Sequence, residues 1–159
     1  VTYALLPKNI IENWEADYKK AIEKAGGAEK VIENRNKYQA TFNKKTSLLL
    51  KLHQNDCLLL LGGDAGNTFQ AEGFNIYEEM VNWSGIGIDN YSILKSATFN
   101  AAKFFNQEGS WGSIKEGFRA DLIILDKNPL EDIKNITTVR YTVTNGKPVM
   151  NKALFDQVQ

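Results

Sequence analysis

Apolar residues near the start of the chain recur at three- and four-residue steps: Ile10, Ile11, Trp14, Tyr18, Ile22 and Ala25. That spacing lines them along one face of a helix, so an amphipathic helix is predicted over residues 8–25. Gly26-Gly27 ends it, as glycines do at helix C-termini. A second periodic stretch carries Val31, Ile32, Tyr38 and Phe42, then Leu48, Leu49, Leu50 and Leu52, before Gln54-Asn55-Asp56 breaks the pattern. Both read as amphipathic scaffold whose charges form a solvated face.

Residues 57–61, Cys-Leu-Leu-Leu-Leu, are too short for a helix and are followed by Gly62-Gly63. A continuous apolar run of this length suits a strand buried on both faces, as in a parallel sheet covered by helices. The four glycines between positions 62 and 73 make a loop, and residues 74–83 are helix-like. Asp89 is a good N-cap for a helix over residues 91–106, whose Ile93, Leu94, Ala97, Ala101, Phe104 and Phe105 form one apolar stripe. From Gly109 the pattern changes to short strands, predicted at 113–117, 121–126, 138–144 and 147–150. Asn145-Gly146 between the last two is the strongest hairpin signal in the chain.

Composition narrows the function. The 159 residues hold 19 basic and 19 acidic side chains, without the basic excess of a dedicated nucleic-acid binder. No apolar run approaches the roughly 18 residues needed to cross a bilayer. Cys57 is the only cysteine, which excludes disulfide scaffolds and thiolate zinc sites. His53 is the only histidine, so these residues cannot supply a multi-histidine metal centre. The chain starts at Val1 without an initiator Met or the basic start and long apolar stretch of a signal peptide, and is expected to belong to a longer protein.

Asp64 is the leading candidate for chemistry. It follows the predicted strand within a glycine-rich loop, and functional groups gather at the carboxyl ends of parallel strands. A carboxylate there can bind a metal ion or act as a general base on water, whereas the plainer role is to cap its own loop. Glu78 and Glu79 are adjacent and point to different sides of a helix, a poor acid–base pair. His53, near the amino end of the predicted strand, reads as a partly exposed surface histidine. Trp83 and Trp111 read as packing anchors, and Cys57 as an inert small apolar residue. A phosphate-binding loop at 62–67 is disfavoured because no Lys-Ser/Thr follows the glycines.

Several of these stretches together are recognisable. Leu60-Leu61-Gly62-Gly63-Asp64-Ala65-Gly66-Asn67 resembles the last-strand motif of the metal-dependent amidohydrolase superfamily, in its imidazolonepropionase-like and peptide-hydrolysing branch. Residues 93–102 resemble the helix after that strand. Residues 112–126, with Asn128-Pro129-Leu130 behind them, are similar to the stretch where the chain leaves the barrel for a small β-sandwich. Residues 143–149 fit that sandwich's terminal hairpin, so the likeness runs unbroken over about 47–150. Gly63 stands where the family usually carries Thr or Ser.

The resemblance implies an α/β fold. Residues 1–108 would form the C-terminal part of a (β/α)8 barrel with strand 57–61, residues 109–150 strands of a composite β-sandwich, and 151–159 a tail or short helix. It also implies a divalent metal, zinc foremost, held by histidines and a carboxylated Lys or Glu on earlier strands and by an aspartate on the last. Only that aspartate has a counterpart here: Asp64, as metal ligand and acceptor of the attacking water's proton. The expectation is therefore a C-terminal fragment of a hydrolase that cleaves a C–N bond in a small-molecule or peptide-like substrate. The fragment itself would be inactive and hold no metal. Self-association, or pairing with the missing N-terminal part, is expected; nucleic acid and membrane are not. The cytoplasm is favoured, although a signal peptide could lie on the missing N-terminus. The alternative is a non-catalytic amidohydrolase-like binding or assembly module.

Overall fold

The computed structural model describes residues 6–65, 70, 71 and 73–150, except for the side chain of Asn36. Two helices open it, α1 (Lys8–Lys24) and α2 (Ala28–Gln54). The glycine pair turns the chain between them with φ of 90° at Gly26 and 102° at Gly27, a region closed to most side chains. The apolar stripes predicted for both helices cover little: α1 has no buried residue, and Tyr18, Ile32, Tyr38 and Phe42 are exposed. Only the last turns of α2 reach the core, through Leu49 and Leu50.

That core is built where the end of α2 meets two shorter helices, α3 (Asn75–Gly85) and α4 (Asn90–Ala97), the second followed directly by α5 (Phe99–Phe104). Ile93 is fully enclosed, and Met80, Trp83, Ile88 and Ile133 are buried around it. Asp89 caps α4 as expected, its Oδ1 accepting the Ser92 N–H at 2.9 Å. The single helix predicted over 91–106 is two, because Thr98 leaves helical geometry at φ −127° and ψ −86°. Its hydroxyl donates back to the Leu94 carbonyl at 2.7 Å, and Ser96 does the same to Ile93 at 2.6 Å. Such side-chain bonds compete with the helix's own ladder.

Residues 57–61 correct the sequence reading, because they are not a strand here. Leu59 and Leu61 pack on the core, while Leu58 and Leu60 are 45% and 39% exposed. The run has the alternation of a strand but, among the described residues, no neighbouring strand to hydrogen-bond with. Cys57, expected to be buried, is exposed for the same reason.

The C-terminal part forms an antiparallel sheet in the order β1 (Leu122–Leu125), β2 (Val139–Thr144), β3 (Lys147–Met150). A 3₁₀ helix, Ile133–Thr137, precedes β2 and sends Ile133 into the core. Leu122 faces Val143 across the first pair, and Thr144 faces Lys147 across the second. Asn145 and Gly146 both take positive φ, 50° and 75°, the tight hairpin turn their sequence predicts. Asp121 ties this turn to the incoming chain: its Oδ1 accepts the Asn145 N–H at 2.8 Å, and its Oδ2 pairs with Arg119 at 2.5 Å. The strand predicted at 113–117 is absent. Positive φ at Gly112 and Gly117 turns the chain at both ends, and Ile114 stands 90% exposed with nothing to pair against. The predicted tail, 151–159, lies outside the described residues.

Candidate active site

Helices α4 and α5 hold the segment that leads to Asp64. The Asn100 side chain donates to the Leu59 carbonyl at 2.9 Å, and the Leu61 N–H donates to the carbonyl of buried Ser96 at 3.3 Å. The chain then leaves the core through Gly62 and Gly63 and presents Asp64 to solvent. Asp64 has φ +45°, a conformation that Asp and Asn enter more readily than other side chains. Residues 66–69 of the expected loop lie outside the described part. Asp64 thus sits at the carboxyl end of a core-anchored segment, exposed and close to the first turn of α3.

The other candidates lie elsewhere. His53 is at the amino end of the segment, its Nε2 3.5 Å from Asp89 Oδ2. Hydrogen bonds from the Ser92 side chain and backbone hold the Asp89 carboxyl below the usual carboxylate range, with His53 adding a smaller pull. A cleft of about 260 Å³ opens there, lined by His53, Cys57, Ser92, Lys95, Asn100 and Lys103 among others, and Asp64 is not part of it. Glu78 is exposed. Glu79 serves the packing of the core, because it accepts the indole N–H of Trp83 at 2.7 Å and anchors that buried ring. The i, i+4 spacing of Glu79 and Trp83 was the available signal for this contact. Trp111 is half-buried, with the Arg119 guanidinium 5.6 Å from its ring.

A zinc or similar ion needs three or four protein donors held in a cage. Among the described residues no cluster of three or more His, Cys, Asp or Glu side chains exists. The lone histidine faces Asp89 at the far end of the segment. The donor set of the described residues therefore does not fit a metal centre by itself, and what those residues offer at this site is a single exposed carboxylate.

A helical layer packed around a leucine segment, a carboxylate beyond that segment, and an antiparallel sheet following them define a chain of the α/β class. A sequence model of the amidohydrolase family matches residues 9–149, and the chain belongs to that family. It is similar to the crystal structure of a Xaa-Pro dipeptidase with methionine bound in its active site. There the identity is 27% and the TM-score 0.64, over 89% of this chain and 34% of that one. Phenylurea hydrolase B aligns with a TM-score of 0.58 and 22% identity over 65% of this chain and 26% of its own. An amidohydrolase from Thermotoga maritima aligns with a TM-score of 0.53 and 22% identity over 66% and 26%. The last two show the fold alone. Comparison with curated proteins gives no match. The chain spans about a third or less of the length of these solved structures. The family is hydrolytic, acts on C–N bonds and is typically dependent on a divalent metal. Among the described residues no helix is long and apolar enough to cross a membrane.

Proposed function

We propose that this chain is the C-terminal portion of an amidohydrolase that cleaves a C–N bond in an amide or peptide-like substrate, with Asp64 as its catalytic carboxylate. The carrying observation is the family match over residues 9–149 together with the place of Asp64, exposed at the carboxyl end of the 57–61 segment. In this reading that segment is the last strand of a (β/α)8 barrel, and residues 109–150 belong to a composite sandwich. Leu58 and Leu60 face outward because neighbouring strands would cover them. Asp64 would accept the proton of the attacking water. The zinc or other divalent ion implied by the family would need its remaining donors from outside the described residues. The likeness to the Xaa-Pro dipeptidase supports a peptide-like substrate over other amides.

Two measurements on purified 1–159 test this reading. Metal analysis after exhaustive dialysis is expected to find well under one equivalent of zinc, with no amidase or dipeptidase turnover. A retained equivalent, or hydrolysis by this chain, would overturn the idea that the site is shared with other parts of the protein.

The same reading sets the partner. The lack of a neighbouring strand beside 57–61 among the described residues, and the exposed apolar residues Ile123, Ile124, Val149 and Met150, invite strands from the rest of the enzyme or, in their absence, a second copy. Light scattering at low micromolar concentration should therefore show species larger than the 17.9 kDa monomer. A sharp monomer would favour the non-catalytic module instead.

A further inference from the structure

Two adjacent glycines precede Asp64, and they differ in what surrounds them. A Cβ placed on Gly62 would meet nothing within 4 Å. One placed on Gly63 would fall on the carboxamide of Asn75, overlapping its Nδ2 and lying 2.6 Å from its Cγ and 2.9 Å from its Oδ1. Gly63 does not have the left-handed φ that would call for glycine on conformational grounds. A side chain there would have to turn the Asn75 carboxamide aside, since that group and no backbone atom occupies the space.

Asn75 is fixed from behind. It is the first residue of α3, half-buried, and its N–H donates to the carbonyl of buried Ala71 at 3.1 Å. Farther along, α3 is anchored in the core by Met80 and Trp83. The Asn75 backbone is therefore held, and its carboxamide lies beside Gly63, immediately before a residue whose φ is +45°. Aspartate enters such a φ more readily than most side chains, so its surroundings need only select it among the open alternatives. Glycines on its N-terminal side would otherwise let the backbone take several paths into Asp64.

We infer that Asn75 is a positioning residue for Asp64, its carboxamide seated on the Gly63 backbone so that the loop has one path and the carboxylate one direction. The inference rests on Asp64 being the site's carboxylate. It adds that the orientation comes from a residue eleven positions away, on the next helix.

The test compares Asn75→Ala, Gly63→Ala and the double variant of the full 159-residue chain with wild type. Denaturant unfolding and the backbone-amide and side-chain carboxyl NMR signals of Asp64 are followed. Asn75→Ala should shift the Asp64 signals while leaving the unfolding midpoint near wild type. Gly63→Ala should lower the midpoint, and adding Asn75→Ala should recover most of that loss, because the second change clears the space the new methyl needs. Unmoved Asp64 signals in Asn75→Ala would overturn the inference, as would strictly additive midpoint shifts. If Gly63→Ala does not fold, Asn75→Ala alone decides. In the hydrolase that carries this chain, Asn75→Ala should lower kcat by about 10- to 100-fold with KM nearly unchanged, the signature of a misaimed group. The NMR outcome is independent of turnover, so a hydrolytically silent Asp64 would refute the proposed function and leave this coupling standing.

Discussion

Asp64→Asn, placed in the larger hydrolase proposed to carry this chain, is expected to remove nearly all turnover while leaving the fold intact. A positioned general base contributes about 10²–10⁴-fold, equivalent to roughly 3–5 kcal/mol of transition-state stabilisation. Asparagine is the informative replacement. It keeps the shape of the side chain and tolerates the φ of +45° at this position, so only charge and proton affinity change. Alanine would mix that loss with a backbone penalty of about 1–2 kcal/mol for left-handed geometry. Asp56 provides the control: it is also an exposed aspartate with positive φ, 55°, but lies at the other end of the 57–61 segment. Asp56→Asn should leave kcat/KM within about twofold of wild type, since surface substitutions away from special features act weakly. Near-normal turnover in Asp64→Asn would reduce Asp64 to a loop residue.

What the sequence made legible follows from what each signal depends on. Local signals held. The glycine pair at 26–27, the Asp89 cap and the Asn-Gly turn each act within a few residues, so the chain around them suffices to express them. The run at 57–61 failed as a strand because a strand is defined by its neighbours. Leucines alternating inward and outward state where partners belong without supplying them. Residues 113–117 failed likewise, between two glycines that turn the chain away. Asp64 is singled out by its place after an apolar run in a glycine loop. Asn75 is not, because it lies twelve positions from Gly63 and an ordinary polar side chain leaves no periodicity to read; it emerges only when the space above Gly63 is measured. The histidine count, by contrast, needs no structure to show that these residues alone cannot supply a multi-histidine metal centre.

Gly112→Ala is expected to be among the most destabilising single substitutions in the chain, at about 2–5 kcal/mol from the two costs that combine there. Gly112 has φ +87°, where an L side chain pays about 1–2 kcal/mol. The new methyl would also lie 2.7 Å from the Cβ of Ala102, 3.0 Å from the Thr98 carbonyl oxygen and 3.1 Å from the Phe99 Cα. Ala102 is fully buried, and the other two atoms are backbone at the break between α4 and α5, so none can swing aside. Overpacking of this kind costs about 1–3 kcal/mol. For a chain of this size the melting temperature should fall by roughly 5–15 °C. Gly109 in the same connection has open space around it and no left-handed φ, so Gly109→Ala should stay within about 0.5 kcal/mol of wild type. Adding Ala102→Gly to Gly112→Ala should recover only part of the steric share, because the dihedral cost stays and a helical glycine adds about 1 kcal/mol of its own. Equal stabilities for the two glycine variants would refute the close approach. The consequence reaches Asp64, since the helices that Gly112 packs against also grip Leu59 through Asn100 and Leu61 through Ser96. Loosening that packing frees the segment from which the carboxylate is presented, so in the larger hydrolase proposed above Gly112→Ala should lower turnover at temperatures where the protein is still folded.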